Sequence, residues 1–369
     1  MTSNPNSSSS IPGRLVSLDA FRGLTMFLLV AEGAGLYHAL LQPEFDFIRP
    51  LVTQFHHHPW NGLRFWDLVQ PYFMFIVGVA MPFAFAKRRS RGETERQLFG
   101  HVLVRSATLF LLGVILHCGY TKGLVWELWN VLTQLSFTYL LAYLIMKRSA
   151  KTQIGISFAL ILLTEILYRT WAVPGFDQPF VKDHNFGSWM DMILMGKLNN
   201  GGGWVAINCV PTAAHTIWGV LAGQVLQSGR TNMQKFKVLA IYGIIGIVAG
   251  YTLDPITPII KRICTSSFVI VSGGWCLLTL AIFYYLIDMR GMRKWLNFAV
   301  IVGMNSIFIY MYSNTIGPQW MNGFIEIFTG GFLFWMGLPT VHLVTAIVSL
   351  AVHWYLCYWL YKRKILIKI

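Results

Sequence analysis

Three consecutive histidines, His56, His57 and His58, run into Pro59-Trp60-Asn61-Gly62, and Asp67 stands ten residues beyond His57. An imidazole titrates near neutral pH. One histidine of such a run can take a proton from an amine or hydroxyl nucleophile, or be acylated in passing. Asp67 has two readings: a first-turn carboxylate favoured by a helix dipole, or the partner that orients a nearby histidine. Neighbours in sequence point in different directions and no second ligand motif accompanies the run, so no metal site is expected.

Ionisable residues inside apolar stretches form the second group, because a charge in a membrane-spanning segment is costly and marks function. Asp19 and Arg22 are three apart, share a helix face and can pair. The same arginine would suit an anionic ligand. Glu32 lies between apolar residues next to Gly33 and Gly35, where small residues permit a break or close packing. Glu127, Asn130 and Gln134 fall at i, i+3 and i+7 of an expected helix and would form one polar stripe. His215 reads as an interhelical hydrogen bonder. The five cysteines form no CxxC and read as small buried hydrophobes.

The elements that must hold these groups follow from composition. The chain has 369 residues, 55% hydrophobic and only 12% charged, with mean hydropathy +0.54. A soluble domain carries about 25% charged residues. An all-α integral membrane protein is expected, in one polytopic unit over 14–369 after a flexible Ser/Pro/Asn-rich tail at 1–13. Ten apolar runs fall near 18–41, 66–86, 102–119, 125–146, 153–172, 204–227, 236–252, 265–287, 295–315 and 340–361, and each can span as a helix. The stretch 317–337, with its Gly, Asn and internal Glu326, suits a re-entrant or interfacial piece. If the N-terminus is inside, Lys and Arg divide 19 to 7 in favour of the inner loops, which predicts both termini in the cytoplasm. The net charge of +14 therefore reports topology, and nucleic acid is not an expected partner.

Three segments carry a family resemblance: Ser17-Leu18-Asp19-Ala20-Phe21-Arg22-Gly23-Leu24-Thr25; His57-His58-Pro59-Trp60-Asn61-Gly62-Leu63 followed by Trp66-Asp67-Leu68-Val69-Gln70-Pro71-Tyr72-Phe73-Met74-Phe75-Ile76-Val77-Gly78; and Gly303-Met304-Asn305-Ser306-Ile307-Phe308-Ile309-Tyr310. In this order they resemble the heparan-α-glucosaminide N-acetyltransferase family, across about residues 14–361. The resemblance implies ten spans and an acetyl group carried from cytoplasmic acetyl-CoA to the amine of glucosamine or another amino sugar, or an oligosaccharide end, at the outer face. It implies His57 as base or acetyl carrier, with Asp67 beside it. Trp60, Asn61, Lys261 and Asn305 would serve the acceptor. Asp19 and Arg22 at the inner end would serve CoA.

The sequence departs from the family in two places. Glu32 stands in Ala31-Glu32-Gly33-Ala34-Gly35, where relatives have an asparagine, and would take that polar role. Ser313 and Asn314 stand where lysosomal members have His and Glu. The lysosomal members' additional lumenal domain has no counterpart here, which points to a bacterial-type member in the inner membrane. Membrane lipid and a homodimeric partner are also expected. The competing reading is a secondary transporter for sugars or amino sugars, using Glu32 and His215 for proton coupling.

Overall fold

The computed structural model of the protein describes residues 15–199, 201–292 and 297–367; the expected tail at 1–13 lies outside the described residues. The principal helices are α1 (Val16–Gly33), α2 (Val69–Arg89), α3 (Glu95–Thr121), α4 (Val131–Ile145), α5 (Ala150–Thr170), α6 (Phe186–Met195), α7 (Cys209–Gln227), α8 (Asn232–Leu253), α9 (Ser266–Phe283), α10 (Asn297–Met304), α11 (Ser306–Asn314), α12 (Asn322–Leu333) and α13 (Leu338–Lys362). No strand occurs among the described residues.

Six helices are long and apolar enough to cross a membrane: Phe65–Arg89, Glu95–Thr121, Ala150–Thr170, Asn232–Leu253, Ser266–Met289 and Leu338–Lys362. Several carry apolar side chains outward. Leu111 on α3, Leu162 on α5 and Ile245 on α8 are 58%, 58% and 54% exposed. Aliphatic surface on the rim of a bundle suits hydrocarbon as its solvent, so the chain is read as a multi-pass membrane protein. The other four expected runs are also helical, but they are shorter or more charged. α1 carries Asp19, Arg22 and Glu32, and Asn305 divides the run at 295–315 into α10 and α11. A count of ten therefore goes beyond what helix length and composition establish.

One expectation is corrected. The run at 125–146 does not begin as a helix. The Asn130 side chain accepts from the backbone N–H groups of Leu132 (2.9 Å) and Thr133 (3.1 Å), which caps α4 and starts it at Val131. Glu127 and Asn130 thus precede the helix, and the polar stripe with Gln134 does not form. Glu127 instead pairs with His117 (2.5 Å) and Lys197 (2.7 Å), joining the end of α3 to the loop after α6. His215 does bond across helices: its Nε2 meets Ser272 Oγ at 2.9 Å and the Val269 carbonyl at 3.1 Å on α9. The segment after α11 is helical from Gly317 to Met336, with a π-helical turn leading into α12 and a 3-10 turn leaving it, and it packs beside α13; it is not among the six helices long and apolar enough to cross.

α2 and α7 form the centre of the bundle. At Gly78 an added Cβ would sit 2.1 Å from the Thr216 carbonyl oxygen, and at Gly219 it would sit 2.2 Å from that of Phe75. Only glycine allows the two backbones this approach. α1, α4, α5 and α9 pack around the pair, with α10 against α1, and the core is filled by Phe21, Phe75, Phe268 and Met74, all fully buried. Arg22 and Glu32 lie ten residues apart on α1, about 15 Å along its axis. They mark the two ends of the bundle that matter below.

Candidate active site

The His57 loop is held from both sides. Gly62 adopts φ +138, where a Cβ would lie 2.7 Å from the His58 imidazole, and its N–H donates to the carbonyl of Ile259 at 2.8 Å. Glycine is needed here for both reasons. His57 Nδ1 stands 2.9 Å from Asp67 Oδ1. The other oxygen, Oδ2, accepts from the backbone N–H groups of Arg64 (2.9 Å) and His58 (3.2 Å). Both readings of Asp67 thus hold in one side chain: it caps the turn Phe65–Leu68 and orients His57. The neighbouring histidines diverge. His56 reaches toward the Tyr37 carbonyl at 3.4 Å, and His58 packs over Gly62.

The second side is the loop between α8 and α9. Thr265 Oγ1 donates to the Pro258 carbonyl and accepts from Ile260 N–H, and Cys264 takes the left-handed φ +47. This tight turn delivers Lys261, 6% exposed, to the histidine. Its Nζ lies 3.1 Å from His57 Nδ1 and 3.4 Å from Nε2, and 4.6 Å above the Trp204 ring. Trp204 also meets His57 edge-on, with ring centroids 5.2 Å apart. With Nδ1–H donating to Asp67, Nε2 keeps its lone pair, and the Lys261 ammonium stands beside the ring. One side of the His57 side chain, 32% of it, opens to the cleft. Burial and then the Lys261 ammonium lower its pKa to about 4, against the pull of Asp67. Burial lowers Lys261 to about 8 against the pull of Asp67. Near neutral pH the site therefore holds a neutral imidazole beside a cation, fit to take a proton or an acyl group.

Glu32, exposed in the last turn of α1, lies within electrostatic reach of Lys261 and beside Trp66. Trp66 in turn stands 6.4 Å from the His57 ring. Tyr37, Tyr120 and Tyr310 lie within electrostatic reach of Glu32.

The structure therefore brings His57, Asp67 and Lys261 together, with Glu32 within electrostatic reach of Lys261. Trp60 lies nearby but is engaged: its Nε1–H donates to the Phe180 carbonyl at 2.7 Å, and its ring backs Gly203. Asn61 is exposed on the same loop. Asn305 lies elsewhere. Its carboxamide donates to the Ile365 carbonyl (3.1 Å) and accepts from Ile367 N–H (2.8 Å), so it tethers the chain's last described residues. Asp19 and Arg22 also stand apart from His57. They pair at 3.5 Å, and Arg22 lines a cavity of about 310 Å³ bounded by Arg105, Tyr139, Gly303, Ile367 and Tyr310. Tyr310 lines this cavity and also neighbours Glu32, linking the two regions.

Sequence reasoning missed three residues here. Arg105 stands alone in an apolar run, a signal in itself; its guanidinium lies 4.8 Å over Tyr139 and its Nε is buried without a partner. Trp204, just after a glycine run, supplies the aromatic face under Lys261 and Arg262. Tyr310 closes the third motif of the resemblance without an assigned role.

Residues 14–164 match the family model of a domain of unknown function (DUF5009). Heparan-alpha-glucosaminide N-acetyltransferase of Homo sapiens is 25% identical over 98% of this chain and 61% of its own length. The Mus musculus protein of that name is 33% identical over 37% of this chain and 19% of its own length. The chain spans about three fifths of the length of the human relative. The similarity to the human protein runs along nearly the whole of this chain.

Proposed function

We propose that this protein is a membrane acetyltransferase that moves the acetyl group of acetyl-CoA to the amine of glucosamine or a related amino sugar. The observation that carries the reading is the Asp67–His57–Lys261 contact, a neutral base held by a carboxylate beside a cation. Acetyl-CoA supplies an activated thioester. Asp67 fixes the imidazole so that Nε2 presents its lone pair to the cleft. His57 takes the nucleophile's proton, or carries the acetyl group itself. Lys261 adds a positive charge where a tetrahedral intermediate would develop its oxyanion.

The cavity between α1, α2, α3 and α4 suits the donor. Arg22 and Arg105 can hold phosphate, and the apolar wall toward Tyr310 suits the pantetheine arm. The 19 to 7 charge bias supports the Arg22 end as cytoplasmic, with the His57 end at the opposite, outer face of a bacterial inner membrane.

The test is mass spectrometry of the purified protein with acetyl-CoA and glucosamine in detergent. N-acetylated product is expected. Absence of product with any amino sugar, despite CoA binding, would overturn the acceptor assignment. Absence of CoA binding would overturn the enzyme.

A further inference from the structure

The cation beside His57 sits on a loop, and a loop keeps a buried charge in place only if something fixes its ends. The loop between α8 and α9 carries Lys261. Its internal bonds, from Thr265 to Pro258 and Ile260, give it a shape but do not say where it sits. Two charged side chains on another helix do. Glu165 and Arg169 lie one turn apart near the end of α5, a helix apolar enough to span. Ionisable groups in such a helix are costly and mark a function.

We infer that Glu165 and Arg169 are positioning residues of this site: they clamp the Lys261 loop at both ends and so set the distance between its ammonium and His57. The inference rests on the acetyltransferase reading, in which Lys261 supplies the charge for the oxyanion.

Hydrogen bonds make the clamp. Arg169 Nε donates to Glu165 Oε1 at 2.6 Å. Thr257 Oγ1 donates to the same oxygen at 2.7 Å, and Ser266 Oγ donates to Oε2 at 2.7 Å. Arg169 Nη2 donates to Thr257 Oγ1 (2.7 Å) and to the Ile256 carbonyl (2.8 Å). Thr257 and Ser266 bracket Lys261, so one carboxylate holds the loop soon after it leaves α8 and where it enters α9. The arginine also reaches the other loop. Its guanidinium lies 5.1 Å over the Phe180 ring, and the Phe180 carbonyl accepts from Trp60, three residues after His57. The pair thus bears on both of the loops that the Gly62–Ile259 bond joins.

The charges that act on the His57 ring are those of Lys261, Asp67 and Arg262, while Arg64 donates to its carbonyl at 3.0 Å. Glu165 and Arg169 act on the ring through the loop. With side chains 17% and 39% exposed, their ion pair adds little net stability. Its consequence is geometric. Lys261 Nζ stands 3.1 Å from His57 Nδ1, and a misplacement of about 1 Å at such a group costs about 100-fold in rate.

The test is Glu165→Ala in the full chain, with the pH midpoint of His57 read by diethyl pyrocarbonate, which modifies only the neutral ring, and mass spectrometry. This readout needs no substrate. A freed loop lets the ammonium draw back, so the midpoint is expected to rise by at least half of the rise that Lys261→Met produces. Loss of a negative charge acting directly on the ring would lower it instead, so the sign separates the two. In the Lys261→Met background, Glu165→Ala is expected to add less than it does alone. kcat for amino-sugar acetylation is expected to fall about 100-fold, with CoA affinity unchanged. A midpoint that stays or falls, or equal steps with and without Lys261, overturns the inference. If Glu165→Ala does not fold, the double variant Thr257→Val, Ser266→Ala carries the test. It cuts the loop hydroxyls from the clamp and leaves the Glu165–Arg169 pair whole; an unmoved midpoint there overturns the inference. No product from the unaltered protein, with the midpoint shift present, defeats the acetyltransferase reading and leaves the clamp standing.

Discussion

Lys261 Nζ lies 3.1 Å from His57 Nδ1 and 3.4 Å from Nε2, although 204 residues separate the two in the chain. An ammonium against an imidazole opposes the imidazolium, and burial opposes it further. Asp67 alone, as the histidine's hydrogen-bond acceptor, would favour the charged ring. Burial, and then the lysine, outweigh it and keep the base neutral.

The balance is open to measurement at His57 itself. Only the neutral ring reacts with diethyl pyrocarbonate, so the rate of carbethoxylation at His57, read by mass spectrometry, titrates it. Half-maximal rate is expected near pH 4. Lys261→Met removes the cation but not the larger effect of burial, so the midpoint moves up part of the way toward the ordinary histidine value of about 6.5. Lys261→Arg keeps the charge and leaves the midpoint low. A midpoint unmoved by Lys261→Met would show that the lysine does not govern the ring.

Asp67 has work on both its oxygens. In Asp67→Asn the amide NH2 would face the backbone N–H groups that Oδ2 now accepts, or else Nδ1–H of His57, so one contact is lost in either orientation. Loss of ring orientation and of the tautomer costs about 10²–10⁴ in kcat. His57→Ala is expected to cost at least as much, and the double variant little more than His57→Ala alone, because the two act as one unit. CoA binding is expected to survive in all three, since the Arg22 cavity is assembled from other residues. Additive losses in the double variant would separate the roles.

Much of this site is legible in the sequence because its chemistry is concentrated in one short run. His57, Asp67 and the loop glycine fall within eleven positions, and an aspartate near a histidine near a helix start has few arrangements open to it. The all-helical membrane class is legible for a similar reason: hydropathy acts over 20-residue windows and needs no tertiary information. What sequence could not supply is convergence. Lys261 and Trp204 reach His57 from two separate loops, and only packing decides that. The polar spacing of Glu127, Asn130 and Gln134 looks helical, but Asn130 prefers to cap. A side chain that can satisfy two free backbone N–H groups beats the periodicity of its neighbours. Asn305 shows the limit of a motif: it lies in a recognisable stretch, yet its amide is spent on the backbone of Ile365 and Ile367.

Arg22 and Arg105 face one cavity from α1 and α3, and Arg105 Nε has no partner among the described residues. A charge-assisted contact to phosphate is worth about 1.5–3 kcal/mol. Arg105→Gln is therefore expected to weaken CoA binding about tenfold or more by isothermal titration. Pantetheine, which has no phosphate, is expected to bind both proteins alike. Equal weakening of both ligands would assign Arg105 to shaping the cavity wall through Tyr139.

Gly62 tests whether the two loops act together. Its φ of +138 is closed to side chains, the Cβ of an alanine would meet the His58 ring at 2.7 Å, and its N–H ties the His57 loop to Ile259, two residues before Lys261. Gly62→Ala must shift the loop or the ring, at a cost of about 1–3 kcal/mol. Because the strain falls on the bond joining the loops that carry His57 and Lys261, kcat/KM is expected to fall well beyond what the stability loss explains, with CoA affinity unchanged. Gly196→Ala is the control. It has φ +68 with no atom within 4 Å of its Cβ, so alanine there meets left-handed backbone strain without a clash and without touching the Gly62–Ile259 bond, and thermal stability is expected to drop while activity in the folded fraction stays. If the two substitutions lower activity alike, the Gly62–Ile259 tie does not set the spacing of the base and its cation.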